Sequence, residues 1–240
     1  MNDFLLEYYN TITFSVEILA AVTGLLLYKK YKLTAAKFFI YFLVYLSACD
    51  FFNTYVHYIQ NNGFLSFLEG TVFVRNFWWS TLYWKIGAIL FFCFYYHKIL
   101  STDLFKILIK YSGLVFFVFS IGYIFLNWDD FFVRFFPIIS VLGAVIIFMC
   151  TVFYFIEILQ SEKILSFYKS INFYISSAIF IWWLIISPLV FYDIYNSNYD
   201  WNFIFLKWQI YLFANIIMYS TFTFALIFCK PDEKPTKPYY

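Results

Sequence analysis

Seven apolar runs divide this 240-residue chain, at Ile12–Tyr28, Phe38–Ile59, Phe77–Tyr96, Ile107–Leu126, Phe132–Ile158, Ile171–Tyr192 and Phe203–Phe228. Roughly 20 mostly apolar residues suffice for a helix to cross the ~30 Å hydrocarbon core of a bilayer. Inside lipid every backbone N–H and C=O must be satisfied within the protein, so runs of this kind are helices. The connections are short and leave no room for a soluble domain. The expectation is an all-α polytopic membrane bundle of seven transmembrane helices, forming one domain over residues 1–229. The polar, proline-rich tail "KPDEKPTKPYY", residues 230–240, is expected to be disordered.

Composition agrees with a chain solvated by lipid. Charged residues make up 12% and hydrophobic ones 64%, against about 25% charged in a soluble domain. Aromatics reach 28%. Phe and Tyr have AT-rich codons, which accounts for their abundance, so a lone aromatic carries no functional weight. Cys49, Cys93, Cys150 and Cys229 fall inside spans or at a span end, far apart in sequence. That spacing excludes a CxxC motif and assigns them to packing.

Charge alternates from loop to loop. Lys29, Lys30, Lys32 and Lys37 follow the first span, and Lys98, Lys106 and Lys110 follow the third. Lys163 and Lys169 follow the fifth, while the tail holds Lys230, Lys234 and Lys237. The opposite side holds Arg75 and Arg134 among Asp3, Glu7, Glu69, Asp129, Asp130, Asp193 and Asp200. The positive-inside rule then predicts an outside N-terminus and a cytoplasmic C-terminus. Trp78, Trp79, Trp128, Trp201 and Trp208 fit an outer interfacial belt. The N-terminal "MNDFLLEYYN" lacks the basic region of a cleavable signal, so the first span is expected to stay as an anchor. The outer segment "QNNGFLSFLEGTVFVRN" is expected to lie along the membrane surface, with a turn at Asn62-Gly63. A multi-pass location in a cell membrane is expected.

Charged groups at membrane depth are costly and point to function or to pairing. At ~1.5 Å per residue, Asp50 lies ~13 Å and Lys85 ~12 Å below the outer edge. Glu17 shares that layer, which predicts a Glu17–Lys85–Asp50 cluster. Ser47, Asp50, Thr54 and His57 share one predicted helix face, with His57 near the wetted interface. Glu17, Ala20, Ala21 and Gly24 form a small-residue face suited to close approach. Lys207, Tyr211, Asn215 and Tyr219 form a stripe on the last span, with Gln209 nearby. Pro137 and Pro188 are expected to free backbone carbonyls in the same half. The candidate polar cluster is therefore Glu17, Asp50, Lys85, His57, Gln209 and Asn215. An ion pair that merely fixes helix register is the alternative. Glu157 and Lys163 are expected to be solvated.

With only His57 and His97, near opposite faces, no multi-histidine zinc site of the ceramidase-like type can form. HExxH, GxSxG and phosphate-binding glycine loops are absent, as is a second deep aspartate for an intramembrane protease. The last span lacks a mid-helix lysine for retinal, DRY-like and NPxxY-like motifs are missing, and there is no repeat of the sugar-transporter kind. The lysines serve orientation, not nucleic acid. No enzyme activity, cofactor or metal is expected.

The segments "EILAAVTGLLLYKKYK", "FYFIEILQSEKIL" and "NIIMYSTFTF" resemble small uncharacterised seven-span proteins of flavobacteria-like bacteria. The resemblance implies no catalysis and suggests a sensory or accessory membrane component. The expected partners are the lipid bilayer and another membrane or cytoplasmic protein, since the loops are too short for an output domain. A small proton-coupled transporter and a structural subunit are the alternatives.

Overall fold

The computed structural model describes residues 2–59, 63–195 and 201–231, without the side chains of 2–6, 163, 193–195 and 202. Seven of its helices are long and apolar enough to cross a membrane. We number them α1 (Asn2–Leu26), α2 (Ala36–Asn53), α3 (Phe77–Ile99), α4 (Asp103–Leu126), α5 (Pro137–Leu159), α6 (Ile171–Tyr195) and α7 (Trp201–Phe228). Among the described residues there is no strand, only an isolated bridge between Ser170 and Lys230. Asn62 of the predicted turn, Asp200 and the tail from 232 lie outside the described residues, as do the side chains of Asp3, Lys163 and Asp193.

The helices close into a ring. α1 packs on α2 and α7, α6 lies between α5 and α7, and α3 touches α2, α4 and α5. α4 seals the groove between α3 and α5. Its outward face, with Leu104, Leu108, Tyr111, Leu114, Val115 and Val118, is exposed. An apolar exposed surface is the expected state of a helix facing lipid, where burial against hydrocarbon carries no penalty. Close contact is made through small residues instead. A Cβ on Gly24 would sit 3.2 Å from Ile40 of α2, one on Gly113 3.1 Å from the Cys93 sulfur, and one on Gly143 3.0 Å from Ile89. Ala20 and Ala21 of the predicted small-residue face are buried.

Several boundaries depart from the sequence reading, each for a local reason. α1 begins near the chain start because Tyr9 continues its packed face, with its ring 6.1 Å from that of Trp208 on α7. α5 begins at Pro137, so this proline occupies the first turn, where no N–H is needed, and frees no interior carbonyl. Pro188 lies inside α6. There the Ser187 hydroxyl turns back to the Trp183 carbonyl at 2.6 Å. Span α3 is not uniform: Thr81–Ala88 forms a π-helical segment between two α-helical pieces. Such wide turns, with i→i+5 bonds, recur at functional sites.

The lysine-bearing end of the bundle is closed by loop side chains. The buried Tyr31 donates to the carbonyls of Leu226 and Cys229, both at 2.9 Å. Lys30 donates to Leu226 and Ile227 at 3.1 and 3.0 Å. The Leu226 and Ile227 carbonyls belong to the last turn of α7, which has no partners within its own helix, and Cys229 follows directly after it. Burial pushes the Lys30 ammonium below its ordinary pKa, with Cys229 acting in the opposite sense. Glu157 is not simply solvated. Its carboxylate accepts from the backbone N–H groups of Ser101, at 2.8 and 3.0 Å, and Thr102, at 2.7 Å. A carboxylate at that position caps the start of α4 and meets its positive dipole end.

Candidate functional site

In the half of the bundle away from the lysine-bearing end, α1, α2, α3 and α7 bring polar side chains together. Glu17 of α1 is fully buried, and neither of its carboxylate oxygens has a hydrogen-bond partner. The Asp50 carboxyl and the Ser47 hydroxyl of α2 are its polar neighbours. Ser47 Oγ is itself buried without a partner, as is Thr13 Oγ1, one turn earlier on α1. Tyr83 of α3 donates a hydrogen bond to Asp50 Oδ1. The hydroxyls of Tyr9 and Tyr219 also border this pair, Tyr9 on the Asp50 side and Tyr219 against both carboxyls. Cys49 flanks it from α2.

α3 fastens to α2 next to this group. Trp79 Nε1 donates to the Cys49 carbonyl at 3.0 Å, Asn76 to the Asn53 carbonyl at 3.2 Å, and Ser80 to Asn53 Oδ1 at 3.2 Å. Trp78 donates to the Tyr55 hydroxyl at 3.0 Å. Two of the tryptophans predicted as an interfacial belt are therefore pins between helices, while Trp128 and Trp201 are exposed.

Lys85 does not join Asp50. Its ammonium donates to Ser140 Oγ of α5 at 2.7 Å and sits 5.2 Å over the Phe135 ring. The ion pairs among the described residues are Lys106–Asp103 and Arg134–Asp130. Depth alone puts Lys85 in the right layer but leaves its direction around the helix open. Tyr83, two positions earlier, takes the α2 side; residues two apart on a helix face different ways. Tyr83 is thus the partner that a search among charged residues misses. The available signal was its depth, level with Asp50, in the span that follows α2 in the chain.

The remaining predicted residues scatter. Thr54–Tyr58 is a 3₁₀ segment, which breaks the helix face that would have carried Asp50 through to His57. Thr54 bonds back to the Phe51 carbonyl at 2.8 Å, and His57 is exposed. Asn215 accepts from Trp182 Nε1 at 2.7 Å, linking α6 to α7. Gln209 is half-buried nearer the start of α7. A second polar layer lies toward the lysine-bearing end. There Tyr95 donates to Asn172 at 2.5 Å and Tyr96 to Ser176 at 2.8 Å, joining α3 to α6.

Among the described residues no group of three His, Cys, Asp or Glu side chains is arranged to hold a metal. A groove of about 370 Å³ between α2 and α3, lined by Phe38, Phe42, Tyr45 and Phe91, is apolar and separate from the carboxyl pair.

The fold and these buried polar groups define a polytopic helical membrane protein. No protein-family model, curated protein or solved structure matches the chain.

Proposed function

We propose that this chain is a non-enzymatic sensory or accessory protein of a bacterial inner membrane, with its N-terminus outside and its C-terminus in the cytoplasm. The lysine content of one bundle end supports this orientation. In this reading the Glu17–Asp50 site receives a small positively charged species. The resulting change in helix packing passes to a partner protein. One observation carries it: Glu17 is fully buried, unbonded and beside a second carboxyl, and neither carboxyl is in an ion pair among the described residues. Unpaired carboxyls at membrane depth are costly in a purely structural role. α1, α2, α3 and α7 each border the site, and in this reading their contacts with the other helices carry its occupancy to the rest of the ring.

The test is purification from the native membrane in mild detergent, with mass spectrometry of what accompanies the protein. A stoichiometric partner whose association weakens in the Glu17→Gln/Asp50→Asn variant is the expected result. A chain that repeatedly purifies alone refutes it.

Transport is the second reading. It is favoured by the Tyr95–Asn172 and Tyr96–Ser176 layer, which supplies polar groups between the site and the opposite end. It predicts substrate-dependent uptake in vesicles that Asp50→Asn abolishes.

A further inference from the structure

We infer that the oxygen atoms around Glu17 form a binding site for a dehydrated alkali cation, for which sodium is the probe. The inference rests on the reading of this site as a receiver of positive charge, and it names the ligand class.

The donor set comes first. Glu17 Oε1 and Oε2, Ser47 Oγ and Thr13 Oγ1 are all buried and lack a hydrogen-bond partner. Tyr83 engages Asp50 through Oδ1, which leaves its other oxygen on the Glu17 side. Every orphaned atom is a hard oxygen, and the one sulfur nearby, the Cys49 thiol, has among the described residues no histidine or second cysteine beside it to complete a transition-metal site. Buried polar atoms are bonded in nearly all native structures, so several orphaned oxygens in one place call for an explanation. An ion that accepts oxygen lone pairs satisfies all of them at once, whereas a hydrogen-bond donor satisfies one or two.

Charge and coordination number set the class. Ca²⁺ takes six to eight oxygens, including backbone or bidentate carboxylate groups, as a typical requirement. The carbonyls of α1 and α2 beside Glu17 and Ser47 are committed to their own helices, so the site offers fewer ligands than that. A monovalent ion with one proton shared by the two carboxyls leaves the group neutral, the favourable state at membrane depth. Thr13 and Glu17 lie one turn apart on α1, and Ser47 and Asp50 one turn apart on α2, so the ion would bridge two helices. The titratable groups facing the site are Tyr9, Cys49, Tyr83 and Tyr219. Protons and the ion therefore compete for the same two carboxyls.

The experiment uses full-length protein in detergent micelles. Its thermal midpoint is followed by tryptophan fluorescence in NaCl and in choline chloride at equal ionic strength and alkaline pH. Binding of radioactive sodium is measured in parallel. The expected result is a midpoint that rises with sodium but not with choline, with one sodium bound per chain. The rise is lost in Glu17→Gln and reduced in Ser47→Ala. Acidification displaces the bound sodium. An equal rise in choline, a rise that survives Glu17→Gln, or a response to Ca²⁺ alone overturns the proposal. If Glu17→Gln fails to fold, sodium binding by wild-type protein and its weakening in Ser47→Ala decide the matter. If sodium is inert while acid shifts the midpoint through Glu17, the ion is wrong and the site's reading stands. If neither acts through Glu17, both fall.

Discussion

Replacing Tyr83 by Phe isolates the bond between α3 and the Asp50 carboxylate. The ring is buried and lies 5.7 Å from the ring of Trp79, and Phe retains that packing. The transfer and dispersion contributions therefore cancel, and what remains is the loss of one hydroxyl donor to a carboxylate. Hydrogen bonds to charged groups contribute about 1.5–3 kcal/mol net. Asp50 is half-buried, so water can replace part of that bond, and about 2 kcal/mol is the expected loss. That corresponds to roughly 30-fold in the folding equilibrium. The assay is reversible unfolding in mixed micelles of mild detergent and SDS, monitored by tryptophan fluorescence. Tyr83→Phe, Asp50→Leu and the double variant complete a cycle. A coupling of about 1.5 kcal/mol or more is expected, since the two residues share one bond. A coupling below about 0.5 kcal/mol refutes the assignment, because additive sites do not share an interaction.

Exchanging the charges of Asp50 and Lys85 should not restore stability beyond the worse single variant, because Lys85 bonds to Ser140 on α5; rescue in the same unfolding assay would contradict that placement. Gly143→Ala brings a methyl within 3.0 Å of Ile89 and should cost stability, by about 1–3 kcal/mol. Gly122, where an added methyl would meet nothing within 4 Å, should accept Ala with a gain of up to about 1 kcal/mol from helix propensity. Tyr31→Phe strips the hydroxyl that serves Leu226 and Cys229 and should cost about 1–3 kcal/mol, with faster amide exchange in the last turn of α7. Glu157→Ala removes the carboxylate that holds Ser101 and Thr102 and should loosen the start of α4, seen as faster proteolysis of the loop between α3 and α4.

The number of helices was legible in the sequence because lipid imposes a length and a composition on anything that crosses it. Depth was legible too, since a fixed rise per residue converts position into height. That conversion is what puts Glu17, Asp50 and Lys85 in one layer. Direction was not legible. Span α3 contains the π-helical Thr81–Ala88, and no proline or glycine pair in "TLYWKIGA" announces it. The wider turn changes which residues face α2, so Tyr83 meets Asp50 while Lys85 reaches α5. The stripe through His57 failed for a similar reason, because helix α2 tightens into a 3₁₀ turn at Thr54. Glu157 was not legible as a cap because its partners are backbone N–H groups distant in sequence.

The sequence by itself determined that this chain is a bundle of seven membrane-crossing helices, and it singled out the few charged residues that sit inside it. Hydrophobicity and helical rise act along one dimension, and a sequence carries that dimension in full. Only the tertiary structure decided which of those residues meet. Meeting depends on rotation about each helix axis and on the order of helices around the ring. Both are set by packing between segments far apart in the chain.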